Sequence, residues 1–198
     1  TRNIPMGRVT DITDVTVRDA ERTYQNDSSG APYTFRTTHS GGDLVIKWYF
    51  PAAENEACTF TIAYTVHGGL RYYDAGDQLW WKALFPDRPA PIKHSTVTVT
   101  LPRNVQVTKY AAYIYSGSGY QTGTTVNIGQ QIAPNVVQYE LNRPLERGQT
   151  MEVEIAWPHG LIAGSPAPWQ ISADKAEEAY AKKIAVRQKW GPLLSLLL

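Results

Sequence analysis

The chain has 198 residues, a net charge of +1, and 42% hydrophobic and 11% aromatic residues, which is typical of one ordered globular domain and excludes a disordered or fibrous chain. Basic and acidic residues are balanced, so there is no positive field for phosphates, and general nucleic-acid binding is excluded. The single cysteine, Cys58, excludes an internal disulfide and a multi-cysteine metal site, and we expect it to be a packed or edge thiol rather than a nucleophile.

Alternation of apolar and polar residues is the main signal along the chain, and it is typical of strands with one face in water. It is clear in 150–157, where apolar residues alternate with Glu152 and Glu154, which are therefore expected on the wet face. The pattern predicts strands over 11–17, 44–50, 59–66, 79–84, 95–101, 111–115, 125–132, 136–141 and 150–157. The side chains expected to be mostly buried are Ile46, Trp48, Ile62, Tyr64, Val97, Val99, Val153 and Ile155.

Turn-forming residues separate these strands, at 26–30, 40–43, 116–119 and 147–148. No helical pattern lies between them. Short strands joined by such turns favour antiparallel sheets packed face to face. The sequence therefore predicts an all-β domain over 1–157, an antiparallel two-sheet β-sandwich that is immunoglobulin-like or related.

The segment 64–88 has the densest mixture of aromatic, charged and turn residues in the chain. Its aromatic rings and charges could form a recognition surface for a sugar or a peptide. The candidate residues of this surface are Arg71, Tyr72, Tyr73, Asp74, Asp77, Trp80, Trp81 and Arg88. A structural role is favoured instead, because Trp80 and Trp81 are adjacent on a strand and point to opposite faces, so one would fill the core and the other would cover the sheet.

Patterns that carry catalytic or cofactor chemistry are not found in the sequence. The four histidines lie in predicted turns or at strand ends, and none has a partner at metal-ligand spacing. The segment 116–119 lacks the order of a nucleophile elbow and is better explained as a hairpin turn. We therefore expect no catalytic, cofactor-binding or metal-binding residues, and a protein that is not an enzyme.

The pattern changes after residue 157. Prolines and glycines predict a loop over 158–173, and a helix is predicted over 174–198, with Asp174 and Glu177 spaced as a capping pair. Ala176, Tyr180 and Ile184 form a narrow apolar stripe, so the helix is expected to be an amphipathic stalk. The final leucines, 193–198, are interpreted as the first turns of a truncated membrane helix; the alternative is a helix end that packs on the domain.

Several motifs stand out along the chain: the segment 64–88, Arg2-Asn3-Ile4-Pro5, the segments 44–51 and 97–102, and Trp157-Pro158-His159-Gly160. Together they resemble the extracytoplasmic domain of the DUF2207 family, predicted bacterial membrane proteins of unknown function. The resemblance implies a signal peptide and one or two further strands before Arg2, and a domain outside the cell membrane. Positive charge beside the leucines, at Lys182, Lys183, Arg187 and Lys189, would by itself favour a cytoplasmic side, but that rule is weak for large translocated domains.

Two functions agree with these observations. The first is a non-catalytic extracytoplasmic binding, sensing or scaffolding domain of a membrane-anchored bacterial protein. Its partners would be the membrane, through a C-terminal anchor, and an envelope protein or glycan, with no cofactor and no nucleic acid. The alternative is a carbohydrate-binding module or weak glycoside hydrolase acting on cell-envelope material, for which two carboxylates about 5 to 10 Å apart would be needed.

Overall fold

The computed structural model describes residues 1–51, 56–116 and 123–194, with side chains in the final helix described as far as Lys182. The described chain is mostly β-structure followed by one helix, as predicted. The strands are β1 (Arg2–Pro5), β2 (Asp11–Arg18), β3 (Gln25–Asn26), β4 (Thr34–Ser40), β5 (Asp43–Tyr49), β6 (Thr61–His67), β7 (Leu70–Arg71), β8 (Asp77–Leu84), β9 (Thr96–Thr100), β10 (Lys109–Ser116), β11 (Thr124–Val126), β12 (Gly129–Ala133), β13 (Val136–Glu140) and β14 (Gln149–Trp157), and the helix is α1 (Pro168–Leu194).

The strands form four sheets, with the orders β1-β5-β4-β3, β2-β6, β11-β10-β14-β8-β7 and β12-β13-β9. Neighbouring strands are antiparallel except β3 and β4, which are parallel. A single sandwich of two sheets is therefore not confirmed. The alternation in the sequence indicates that each strand has a dry face, but it does not indicate which sheet or which core that face belongs to.

Two hydrophobic cores lie between pairs of these sheets. The first two sheets enclose Ile4, Val9, Ile12, Val17, Tyr24, Phe35, Leu44 and Ile46. The other two enclose a second core that includes Val137, Tyr139, Leu145, Met151, Val153, Ile155 and Trp157. Trp81 of β8 packs against both cores.

Burial of the predicted core residues depends on their place in a sheet. Ile46, Val153 and Ile155 are fully buried, as expected. The other five are only partly buried, although all pack against a core: Trp48, Ile62, Tyr64, Val97 and Val99. Four of them lie on β6 and β9, which pair on one side only among the described residues, so solvent reaches them from the other.

The wet face predicted for β14 is wrong. Glu152 is 9% exposed and Glu154 is 2% exposed, so β14 is buried on both faces. It is the central strand between β8 and β10, and aromatic side chains from both neighbours cover its carboxylates. Alternation records only the polarity of the side chains, which here reflects hydrogen bonding inside the protein rather than contact with water.

The helix begins at Pro168, within the region predicted to be a loop. Proline suits the first turn of a helix, where its missing N–H has no partner to lose. Asp174 therefore lies inside the helix instead of capping it. Residues 117–119 of the predicted turn and 195–198 of the leucine run lie outside the described residues, as do the side chains of Ile184, Leu193 and Leu194. Within the described residues, no helix combines the length and the apolar character that crossing a membrane requires.

Candidate functional site

The motif 64–88 forms the end of β6, the strand β7, two tight turns and β8. Gly68 has a φ of 62°, and a Cβ there would lie 2.0 Å from Oγ1 of Thr10, so only glycine fits this turn. The second turn closes with a hydrogen bond of 2.9 Å from the N–H of Gly76 to the carbonyl of Tyr73. These turns place the motif beside the chain that follows β14.

Asp77, at the start of β8, holds the chain that follows β14. Its side chain is fully buried and accepts hydrogen bonds from Nδ1 of His159 at 2.8 Å, from the N–H of Gly160 at 3.1 Å and from the N–H of Tyr73 at 3.3 Å. The hydrogen bond and the negative charge of Asp77 raise the pKa of His159. Asp77 thus ties its own turn to the chain after β14, and its carboxylate is not free to bind a ligand.

Gln170, in the first turn of α1, joins the helix to the motif. Its side chain is 1% exposed. Nε2 donates to the carbonyl of Tyr72 at 2.9 Å, and Oε1 accepts from the N–H of Tyr72 at 3.1 Å. The backbone N–H and C=O of Tyr72 are thereby both satisfied by one buried side chain.

Two further side chains fasten the helix. The hydroxyl of Tyr73 donates to Oδ1 of Asp174 at 3.0 Å, and Nε1 of Trp169 donates to the carbonyl of Gly68 at 2.6 Å. Burial, together with the hydrogen bond to Asp174, raises the pKa of Tyr73. We call this set of contacts the helix seat; it consists of Gly68, Tyr72, Tyr73 and Asp77 on the motif, and His159, Trp169, Gln170 and Asp174 on the chain that follows β14.

Arg71 links the helix seat to the neighbouring sheet face. Its guanidinium carbon lies 5.4 Å from the ring centre of Trp80 and 5.6 Å from that of Trp169. These distances are within the range of cation–π attraction. Arg71 therefore joins the helix to the outer face of the sheet that contains β8 and β14.

On that face Trp80 and Tyr113 stack, with ring centres 5.1 Å apart and an angle of 14° between the planes. Nε1 of Trp80 donates to Oε2 of Glu152 at 2.7 Å, and Nη1 of Arg8 lies 3.6 Å from the same oxygen. Trp80 covers the sheet while Trp81 enters the cores, which confirms that the two rings serve opposite faces.

Glu154 is the more buried carboxylate of this face. It accepts a hydrogen bond of 2.8 Å from Nζ of Lys109 and another of 2.8 Å from the hydroxyl of Tyr113. Burial, followed by the hydrogen bond to Glu154, raises the pKa of Tyr113 to about 12. The polar atoms of this face thus bind one another.

The remaining candidates of the motif do not join these contacts. Asp74 is exposed on its turn. Arg88 is half-buried and donates to the backbone carbonyls of Phe85, Leu145, Glu146 and Gln149, and burial lowers its pKa. The structure therefore brings together Arg71, Tyr72, Tyr73, Asp77 and Trp80, and it leaves Asp74, Trp81 and Arg88 apart.

Several residues of the site have no signal in the sequence. Gln170 and His159 lie in a segment that reads as a surface loop, and Glu152 and Glu154 read as a wet face. The only local signal is the motif Trp157-Pro158-His159-Gly160, which stands out without indicating a partner. Across the described ranges, no three His, Cys, Asp or Glu side chains are grouped so that they could hold a metal ion.

A family model described as "Predicted membrane protein (DUF2207) N-terminal domain" matches residues 1–157. The match spans the described strands β1 to β14 and ends where β14 ends. Searches of curated proteins and of solved structures find no match.

Proposed function

This chain belongs to the DUF2207 family of predicted membrane proteins, and from that membership we propose that it is a non-catalytic binding, sensing or scaffolding domain on the extracytoplasmic side of a membrane-anchored bacterial protein. In this proposal the β-domain meets a partner in the cell envelope. The helix connects the domain to the anchor.

The helix seat is the observation that supports this role best. The most distinctive segment of the sequence uses its side chains and backbone to hold the chain after β14, through contacts that span about a hundred residues of sequence. Beyond Asp174 the described side chains of α1, from Lys175 to Lys182, are all exposed. The helix is therefore fastened at its first turns and then leaves the domain, as a connector would.

A helix that is fastened to the β-domain suits a domain that transmits its orientation, or the force of a bound partner, to the membrane anchor. A freely jointed linker would let the domain and the anchor move independently. Here Asp77 holds the segment before the helix through His159, and Gln170 holds the first turn of the helix beside β7. A partner that tilts the β-domain would therefore tilt the helix with it.

The side of the membrane is tested with Cys58, which is exposed and is the single cysteine of this chain. Intact cells that express the full-length protein, with any other cysteines replaced, are treated with a membrane-impermeant maleimide. We expect labelling of the protein in the membrane fraction, and none in the matched Cys58→Ser variant. Labelling only after permeabilisation would place the domain in the cytoplasm, and release of the intact protein into the soluble fraction would remove the anchor from the proposal.

The binding role is tested by capture. The purified chain is used as bait for solubilised envelope material, and each captured protein or glycan is then purified and titrated back against the chain. We expect at least one direct interaction that survives this reconstitution. If no envelope component binds directly, the binding role is wrong.

A carbohydrate-binding module is the second candidate, and the stacked rings of Trp80 and Tyr113 on an outer sheet face are the observation that favours it. Titration of tryptophan fluorescence with cell-wall oligosaccharides tests it, and an unchanged signal would contradict it. The hydrolase version has less support, because Asp77 is occupied by its own chain, and Asp74 and Asp87 are exposed in loops.

A further inference from the structure

The strand β9 has a free edge. It pairs with β13 on one side, and among the described residues no strand pairs with its other side. Its sequence, Thr-Val-Thr-Val-Thr, has no charge, no proline and a high preference for β-structure. The usual devices that protect an edge strand from pairing are therefore missing from β9 itself.

The register shows which backbone groups are free. Leu101 donates to the carbonyl of Asn135 at 2.8 Å, and Leu141 donates to the carbonyl of Ser95 at 3.1 Å. In an antiparallel pair every second residue is hydrogen-bonded to its partner, so Val97 and Val99 use their backbone groups on β13. The N–H and C=O groups of Thr96, Thr98 and Thr100 consequently point to the free edge.

A groove of about 540 Å³ lies beside this edge, between β9 and β8. Its walls are largely apolar: Leu79, Trp81, Ala83 and Leu84 on one side, and Val97 and Val99 on the other. A strand added to β9 would direct every second side chain toward this groove, on the same face as the two valines. The groove therefore fits a strand with apolar residues at alternate positions.

Positive charge flanks the free edge at both ends. Lys93 and His94 are exposed before β9, and Arg103 is exposed after it. In a symmetric antiparallel pairing of two copies about Thr98, Lys93 of one copy would lie opposite Arg103 of the other, and like charges repel. The charges disfavour a second copy of this chain and favour a strand with acidic ends.

From the free backbone groups, the groove and the flanking charges, we propose that β9 binds an extended peptide segment of a partner protein, with apolar residues at alternate positions and acidic residues at both ends. The peptide adds a strand to the sheet, as in other cases of β-augmentation. This inference rests on the proposed binding role and specifies the class of partner. It places the binding surface on β9 and on residues other than those of the helix seat.

The test uses the 198-residue chain and two capped, fluorescein-labelled peptides of alternating valine and threonine. One carries two glutamates at each end, and the matched control carries two lysines at each end. We expect the acidic peptide to bind with a rise in fluorescence anisotropy, and the lysine peptide to bind at least about tenfold more weakly. On binding, hydrogen exchange should slow at the amides of Thr96, Thr98 and Thr100.

The variant Thr98→Pro removes one N–H from the free edge and leaves the hydrogen bonds to β13 in place, because proline is tolerated on edge strands. Its matched control is Thr98→Val, which keeps the N–H. We expect about tenfold weaker binding of the acidic peptide to Thr98→Pro and unchanged binding to Thr98→Val, with thermal melts of both variants close to that of the wild type. If Thr98→Pro melts far below the wild type, the double variant Lys93→Glu, Arg103→Glu replaces it, and a reversal of peptide preference is expected.

Equal binding of the acidic peptide to Thr98→Pro, or no binding to the wild-type chain, would overturn the inference. A dimer in sedimentation that is lost in Thr98→Pro would show that a second copy of the chain occupies the edge. That result would also overturn the inference. If neither peptide binds but an envelope component still binds the chain directly, the inference is wrong and the proposed function stands. If no envelope component binds either, the proposed function fails as well.

Discussion

Gln170 and Tyr72 exchange two hydrogen bonds, in which the side-chain amide of the glutamine donates to the backbone carbonyl of the tyrosine at 2.9 Å and accepts from its N–H at 3.1 Å. The side-chain amide thus pairs with the backbone of Tyr72, the residue directly after β7, as a neighbouring strand would. Because the glutamine is in the first turn of α1, this pair fixes where the helix starts relative to the β-domain.

Replacing Gln170 should release the helix before the β-domain unfolds. In Gln170→Ala the half-buried N–H and C=O of Tyr72 lose their partners, which costs about 1–3 kcal/mol. We expect faster hydrogen exchange at Tyr72 and in the first turns of α1, with little change in the strands of the second core. Lys175→Ala, on an exposed site of the same helix, is the control and should leave this exchange unchanged. Equal slowing or acceleration across the whole chain in Gln170→Ala would contradict a local role.

Trp81→Ala should destabilise the domain severely, because the ring packs against both cores. Loss of a buried tryptophan typically costs about 3–5 kcal/mol, and because Trp81 is partly buried we expect a cost near the lower end of that range. Asp74→Ala, on an exposed turn of the same motif, should change the free energy of unfolding by no more than about 0.5 kcal/mol. Arg71→Ala should cost less than Trp81→Ala. Urea unfolding measures all three, and a Trp81→Ala midpoint equal to that of the wild type would contradict the packing role.

The ion pair of His159 and Asp77 should make stability depend on pH in a defined direction. The pKa of His159 is raised in the folded protein by the hydrogen bond to Asp77. The folded protein therefore binds a proton at His159 more tightly than the unfolded chain does. This contribution is fully present below the unfolded pKa, about 6.5, and is lost as the pH rises through the folded value. Urea unfolding from pH 5 to 9 should therefore show a difference between wild type and His159→Gln that shrinks as the pH rises. A difference that grows with pH would refute the assignment.

Tyr113 should remain protonated at unusually high pH. Its pKa of about 12 results first from burial and then from the hydrogen bond to Glu154. Since the unfolded tyrosine ionises near pH 10, the stability that this group contributes is lost as the pH rises above about 10. Difference absorbance against Tyr113→Phe measures the pKa of Tyr113. In Glu154→Gln the pKa should fall toward its ordinary value, and an unchanged pKa would show that the carboxylate plays no part.

The alternation of apolar and polar residues located the strands well, because each predicted strand packs an apolar face against one of the two cores. It missed β4, whose sequence Thr-Phe-Arg-Thr-Thr-His-Ser is mostly polar, and it merged β11 with β12 across a short irregular connection. It could not assign strands to sheets, because pairing between strands is a contact between distant parts of the chain. That is why one sandwich was predicted where four sheets surround two cores.

The sequence indicates one half of the helix seat, whereas the recognition surface expected from the same motif stays a prediction. The motif 64–88 identified the half of the helix seat that has many aromatic and charged residues. The other half was invisible, since Gln170 and Asp174 are common residues whose importance comes from partners about a hundred positions earlier. The buried carboxylates of β14 were misjudged for a similar reason, because the residues that satisfy Glu154 come from β10.

The fastening of α1 at its first turns has a mechanical consequence. From Asp174 the helix continues to Leu194, a rod of about 30 Å at about 1.5 Å per residue. Because the near end is held and the described side chains from Lys175 to Lys182 are exposed, the rod acts as a lever with its fulcrum at the helix seat. A rotation of about 10° at the fulcrum would move the far end by about 5 Å on this length, enough to shift a neighbouring helix by about one turn. A small adjustment between β7 and the start of α1 is thereby amplified along the length of the helix.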